Sequence, residues 1–141
     1  MAEFQSKFQE DGTATILGRI TARDGTGTAT GVNGEGNWLK QADISTITCA
    51  VFDLSSSTPT TAIATPTVTI ATHVLDTPVT TNVLWTQETG TVTGYNFLHD
   101  LPASAFPTGE HIYRAEYKIT TTGGAVLWGA FEGPAERVFT S

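Results

Sequence analysis

The sequence is poor in cysteine, in cations and in long apolar runs. A single cysteine, Cys49, stands among 141 residues, so no internal disulfide is possible and the fold needs no oxidising compartment. Seven Lys and Arg against fourteen Asp and Glu leave a formal net charge of −7. So few cations, spread along the chain, cannot neutralise many phosphates, which excludes nucleic-acid binding through a basic patch. No stretch approaches the roughly 18 consecutive apolar residues of a membrane-crossing helix, so no membrane contact is expected. The opening residues carry Glu3, Lys7, Glu10 and Asp11 and lack the apolar segment of a secretory signal. Charged side chains make up 15% of the chain, well below the roughly 25% of an average soluble protein.

Threonine fills the gap, with 27 residues beside 14 glycines and 6 prolines. Threonine loses side-chain freedom in a helix, whereas its branched Cβ suits a pleated sheet. The length supports one domain with a single hydrophobic core. Period-two patterning recurs along it. In Thr13–Ala22, residues Ala14, Ile16, Gly18 and Ile20 share one face. Thr46–Leu54 is apolar on both faces and reads as a central strand. Thr67–Leu75 alternates through Val68, Ile70, Thr72 and Val74 until Pro78 breaks the pattern. Thr91–Leu101 carries Tyr95 and Phe97 on one face. His111–Thr120 is the clearest element: Tyr113, Ala115, Tyr117 and Ile119 oppose Arg114, Glu116 and Lys118. The sequence Thr121-Thr122-Gly123-Gly124 then predicts a hairpin turn, with Ala125–Phe131 as the return strand.

About seven strands with frequent turn signals predict an all-β, antiparallel sandwich of immunoglobulin-like type. Its expected extent is residues 13–133. Residues 1–12 are expected to form a flexible arm, and residues 134–141 a tail. The arm holds two phenylalanines, Phe4 and Phe8, spaced to dock together onto a neighbouring subunit. A Gly-rich loop follows the first strand, with five glycines between Gly25 and Gly36.

Little in the chain predicts chemistry. His73, His99 and His111 have no metal-ligand spacing, and His99-Asp100 places its two side chains on opposite faces of a strand. Ser104 lacks a nucleophile elbow. Cys49 lies mid-strand between apolar neighbours and reads as a core side chain. Asp24–Glu35 has the length of a calcium loop but lacks acids at its third and fifth positions and glycine at its sixth. No catalytic residue, cofactor or metal ligand is therefore expected. Of the tryptophans, Trp38 beside the glycines is the best contact residue, since large aromatics anchor interfaces. Trp128 is expected in the core, and Trp85 plugs one end or joins the contact set. Exposed Trp and Tyr would also suit a carbohydrate-binding or adhesin module, with weak glycan contact.

Three stretches carry a family resemblance: KQADISTITCAVFDL (Lys40–Leu54), TGYNFLHDLPASAFPTGEHIYRAEYKIT (Thr93–Thr120), and the TTGGAV turn leading into AVLWGAF. Over roughly residues 14–132 the order of features resembles a small immunoglobulin-like module of bacteriophage structural proteins. It is similar to the N-terminal domain of baseplate upper proteins and to uncharacterised phage proteins, from which it departs by the insertion Arg23–Asn37. The resemblance implies a non-enzymatic virion protein: a decoration subunit on the capsid shell, or a neck, tail or baseplate accessory. Its partners would be other virion proteins and copies of itself.

Overall fold

A computed structural model of the chain describes residues 2–9, 11–22, 29–30, 37–79 and 94–137. Within these, strands form two sheets. In chain order they are β1 (Ala2–Gln5), β2 (Phe8–Gln9), β3 (Ala14–Ala22), β4 (Ala29–Thr30), β5 (Asn37–Trp38), β6 (Ile44–Asp53), β7 (Ala62–Ala64), β8 (Val74–Val79), β9 (Tyr95–Leu101), β10 (Ile112–Thr121) and β11 (Val126–Glu136). The first sheet runs β4-β5-β3-β9-β8, with β1 also paired to β3; the second runs β2-β11-β10-β6-β7. The expectation of a β-sandwich therefore holds.

The clearest sequence pattern becomes the centre of the second sheet. On β10, Tyr113, Ala115, Tyr117 and Ile119 are wholly buried, while Ile112, Arg114 and Lys118 face solvent. β10 pairs antiparallel with β6 on one side and with β11 on the other. The β10–β11 turn forms as predicted. Thr121 N–H donates to the Ala125 carbonyl at 2.8 Å, and Gly124 sits at φ 91°, a conformation that glycine takes without a Cβ penalty. Ile16, Ile20, Phe97 and Leu101 of the first sheet close over Ile47, Val51, Tyr117 and Ile119 of the second.

The N-terminal segment is part of this core, which corrects the expectation of an arm with outward phenylalanines. β1 pairs antiparallel with β3, and three residues later β2 pairs parallel with β11. Phe4 stacks on Tyr117 at 4.7 Å between centroids and meets Phe97 edge-on at 5.7 Å. Phe8 stacks on Phe106 at 4.5 Å. The segment changes sheets at Ser6-Lys7, so Phe4 enters the core from the first sheet and Phe8 from the second. Gly18 makes the room: a Cβ there would lie 2.6 Å from two Phe4 ring carbons.

Two further elements differ from the sequence reading. Thr67–Leu75 is not one strand. Residues 65–69 run without regular structure, Ile70–His73 form one turn of helix (α1), and β8 begins at Val74. The His73 imidazole accepts from Thr69 N–H through Nδ1 at 2.9 Å, and this local bond offers the backbone an alternative to a sheet ladder. Pro78 falls within β8, which is an edge strand and so tolerates a missing donor. The last strand runs on to Glu136, with Ala135 buried, so residues 134–136 belong to the sandwich rather than to a tail.

Two polar side chains hold the layers where backbone pairing lapses. Asn96 is fully buried. Its Oδ1 accepts from Ile20 N–H at 2.7 Å, and its Nδ2 donates to the carbonyls of Ile20 and Leu39, each at 2.9 Å. It thus replaces the ladder where β3 leaves β9 for β5. The Tyr113 hydroxyl accepts from Thr108 N–H at 2.9 Å and donates to the Thr108 carbonyl at 3.1 Å, pinning the corner before β10.

Candidate functional site

The solvent face of the second sheet is built by the same alternation that fills the core. Register sets Lys118 between Thr48 and Trp128, Glu116 between Ala50 and Ala130, and Arg114 between Phe52 and Glu132. Trp128 is therefore not a core residue. It is 58% exposed, more than any other large hydrophobic side chain among the described residues. The Lys118 ammonium lies 5.6 Å from the indole centroid, within cation–π reach, and Arg114 Nε is 3.4 Å from a Glu116 carboxylate oxygen.

The indole stands between two open grooves. One, of about 560 Å³, has Thr48, Glu116 and Lys118 along its floor and Pro66 and Thr67 on its far wall. The other, of about 330 Å³, is bounded by Arg114, Glu116, Gly129 and Ala130. Gly129 and Ala130 are too small to cover the ring. Each groove thus offers one cation, Lys118 or Arg114, and both share the Glu116 carboxylate.

A buried hydrogen-bonded chain supports the far wall. His99 Nε2 lies 3.0 Å from the Thr67 carbonyl, and Nδ1 lies 2.9 Å from the Tyr117 hydroxyl. A carbonyl can only accept, so Nε2 carries the proton and Nδ1 accepts from Tyr117. Burial is the main cause that lowers the His99 pKa, and the nearby His73 adds to it, its ring 4.6 Å away. The same burial raises Tyr117 and pushes the Cys49 thiol, hydrogen-bonded to Tyr117, up to about 11. Both His99 nitrogens are committed and the thiol stays protonated, so this chain positions a loop and offers no free base or nucleophile.

The other singled-out residues fall elsewhere. Phe4 and Phe8 are buried in the chain's own core. Trp38 is 2% exposed and so is not a surface contact; its indole N–H has no partner among the described residues. Trp85 lies outside the described residues, as does the Gly-rich loop apart from Ala29, Thr30 and Asn37. His111 Nδ1 is 2.8 Å from Asp53 Oδ2, a pair joining the end of β6 to the start of β10. Among the described residues no three His, Cys, Asp or Glu side chains are grouped to hold a metal ion. No helix among them is long and apolar enough to cross a membrane.

Sequence reading missed Trp128 as a surface residue. In AVLWGAF apolar residues occupy both faces, so alternation does not say which face points inward. The legible signal was one strand away: Arg114, Glu116 and Lys118 mark the wet face of β10, and pairing places Trp128 beside Lys118.

The chain matches no family model, no curated protein and no solved structure.

Proposed function

We propose that this protein is a non-enzymatic accessory subunit of a bacteriophage particle. It binds by surface complementarity and decorates the capsid shell. One observation carries the binding role: a rigid, three-stranded face that leaves a tryptophan more than half exposed between two grooves. Burying such a side chain on a partner releases its apolar surface from water, and large aromatics of this kind dominate binding energies. The phage setting rests on the resemblance across residues 14–132. Two further features fit an immunoglobulin-like subunit that packs beside its own copies. The Tyr113–Thr108 corner is of the kind found at strand corners in immunoglobulin-like sandwiches. The threonine-covered surface carries little charge, so copies pack side by side with modest repulsion.

Mass spectrometry of purified particles tests the reading. The chain should be present, in hundreds of copies for a shell subunit. A dozen or fewer copies would move it to the neck, tail or baseplate. Particles that lack the chain altogether would end the proposal.

A further inference from the structure

The Trp128 face also has a chemistry that selects its ligand. We propose that the two grooves flanking Trp128 bind an acidic oligosaccharide; this rests on the reading of the chain as a binding module and names what the exposed face would take. The whole protein has only 21 charged side chains, 7 basic and 14 acidic. Three of them, Arg114, Glu116 and Lys118, line the grooves on either side of one exposed indole. Glu132, opposite Arg114 in register, lies outside both grooves. The grooves therefore hold two cations and one carboxylate on a molecule whose overall charge is −7. Within the grooves the cations outnumber the carboxylate, so their lining complements an anion.

The arrangement fits a chain of sugar rings: an ammonium, a guanidinium and a carboxylate flank the indole along grooves otherwise lined mainly by small or apolar residues. A pyranose ring has an apolar C–H face that lies on an indole, while its edge presents hydroxyls. Trp128 supplies the platform. Glu116, reached from both grooves, accepts from hydroxyls. Lys118 on one side and Arg114 on the other meet carboxylates borne by separate rings along the chain, and a guanidinium can do so through two parallel hydrogen bonds. Thr48 and Thr67 add hydroxyl donors and acceptors along the larger groove.

Calorimetric titration of the full chain with a galacturonic acid tetramer, beside a neutral glucose tetramer, tests this. The acidic tetramer should bind, and its affinity should fall with added salt because the cations are exposed. Trp128→Ala should weaken binding at least about tenfold, which corresponds to 1.4 kcal/mol, while Trp128→Phe should keep most of it. Arg114→Gln together with Lys118→Gln should erase the preference for the acidic over the neutral tetramer. Binding of neither tetramer, equal binding of both, or an unaffected Trp128→Ala variant would each overturn the inference. Counting wild-type and Trp128→Ala chains per particle separates the two readings. Loss of the variant from particles, with no tetramer bound by the wild type, would make this face a protein interface: the ligand class falls and the accessory role stands. Wild-type chain absent from particles but binding the acidic tetramer would do the reverse.

Discussion

Removing the Phe4 ring is the sharpest test of how the N-terminal segment is held. The ring is 5% exposed and packs on Tyr117, Phe97 and the bare Cα of Gly18. Truncating a core phenylalanine costs about 3–5 kcal/mol, a large share of the 5–15 kcal/mol that separates typical folded and unfolded states. Gly18→Ala attacks the same contact from the other side. Its Cβ would sit 2.6 Å from two Phe4 carbons and 3.0 Å from a Phe97 carbon, so the Phe4 ring must move. Overpacking of this kind costs about 1–3 kcal/mol. The two changes should not add. With Phe4 already alanine, the new methyl enters the vacated space and clashes only with Phe97. Urea unfolding of the wild type, both single variants and the double variant should give a coupling of about 1–2 kcal/mol, the double being more stable than the sum predicts. A Phe4→Ala cost below about 1 kcal/mol, or an unchanged Gly18→Ala cost in the Phe4→Ala background, would refute the docking of β1 against β3.

Four other outcomes follow from the geometry. Asn96→Ala removes the Asn96 partner of the buried Ile20 N–H and of the Leu39 carbonyl, while the Ile20 carbonyl keeps its bond from Leu39 N–H; at roughly 1–3 kcal/mol for each group, chemical denaturation should show a loss of at least about 2 kcal/mol. His99 has a folded-state pKa below its ordinary value of 6.5, so the unfolded chain takes up the proton first. Stability should therefore fall as pH drops below about 6.5, level off below the folded-state pKa, and vary less in a His99→Gln variant, read from melting temperature against pH. Cys49, buried with its pKa near 11, should resist a thiol reagent at pH 8 in the native protein and react at once in urea; rapid native labelling would contradict its place under Tyr117. Trp128→Ala should change stability by no more than about 1 kcal/mol, the range of an exposed contact plus its cation–π partner, while weakening binding through that face at least about tenfold.

Much of the sandwich was legible from alternation alone. In β3 and β10 the apolar residues recur every second position, and the strand period of two leaves no other way to bury them together. The Gly123-Gly124 turn was equally local, because its positive φ demands glycine. The candidate site was only half legible. Arg114, Glu116 and Lys118 declared a wet face, but the residue that gives this face its character belongs to a strand with apolar groups on both sides.

What sequence determined, then, was the kind of element: strands, their turns, and a surface covered with threonine in place of charge. Tertiary structure decided which aromatic rings lie inside. Phe4 and Phe8 are drawn in because the chain switches sheets between them and Gly18 leaves a hollow for the first ring. Trp38 is buried although glycines precede it, and Trp128 is turned out because its register with Lys118 fixes the side of the sheet it occupies. Burial depends on which strand lies alongside, and that partner is remote in sequence.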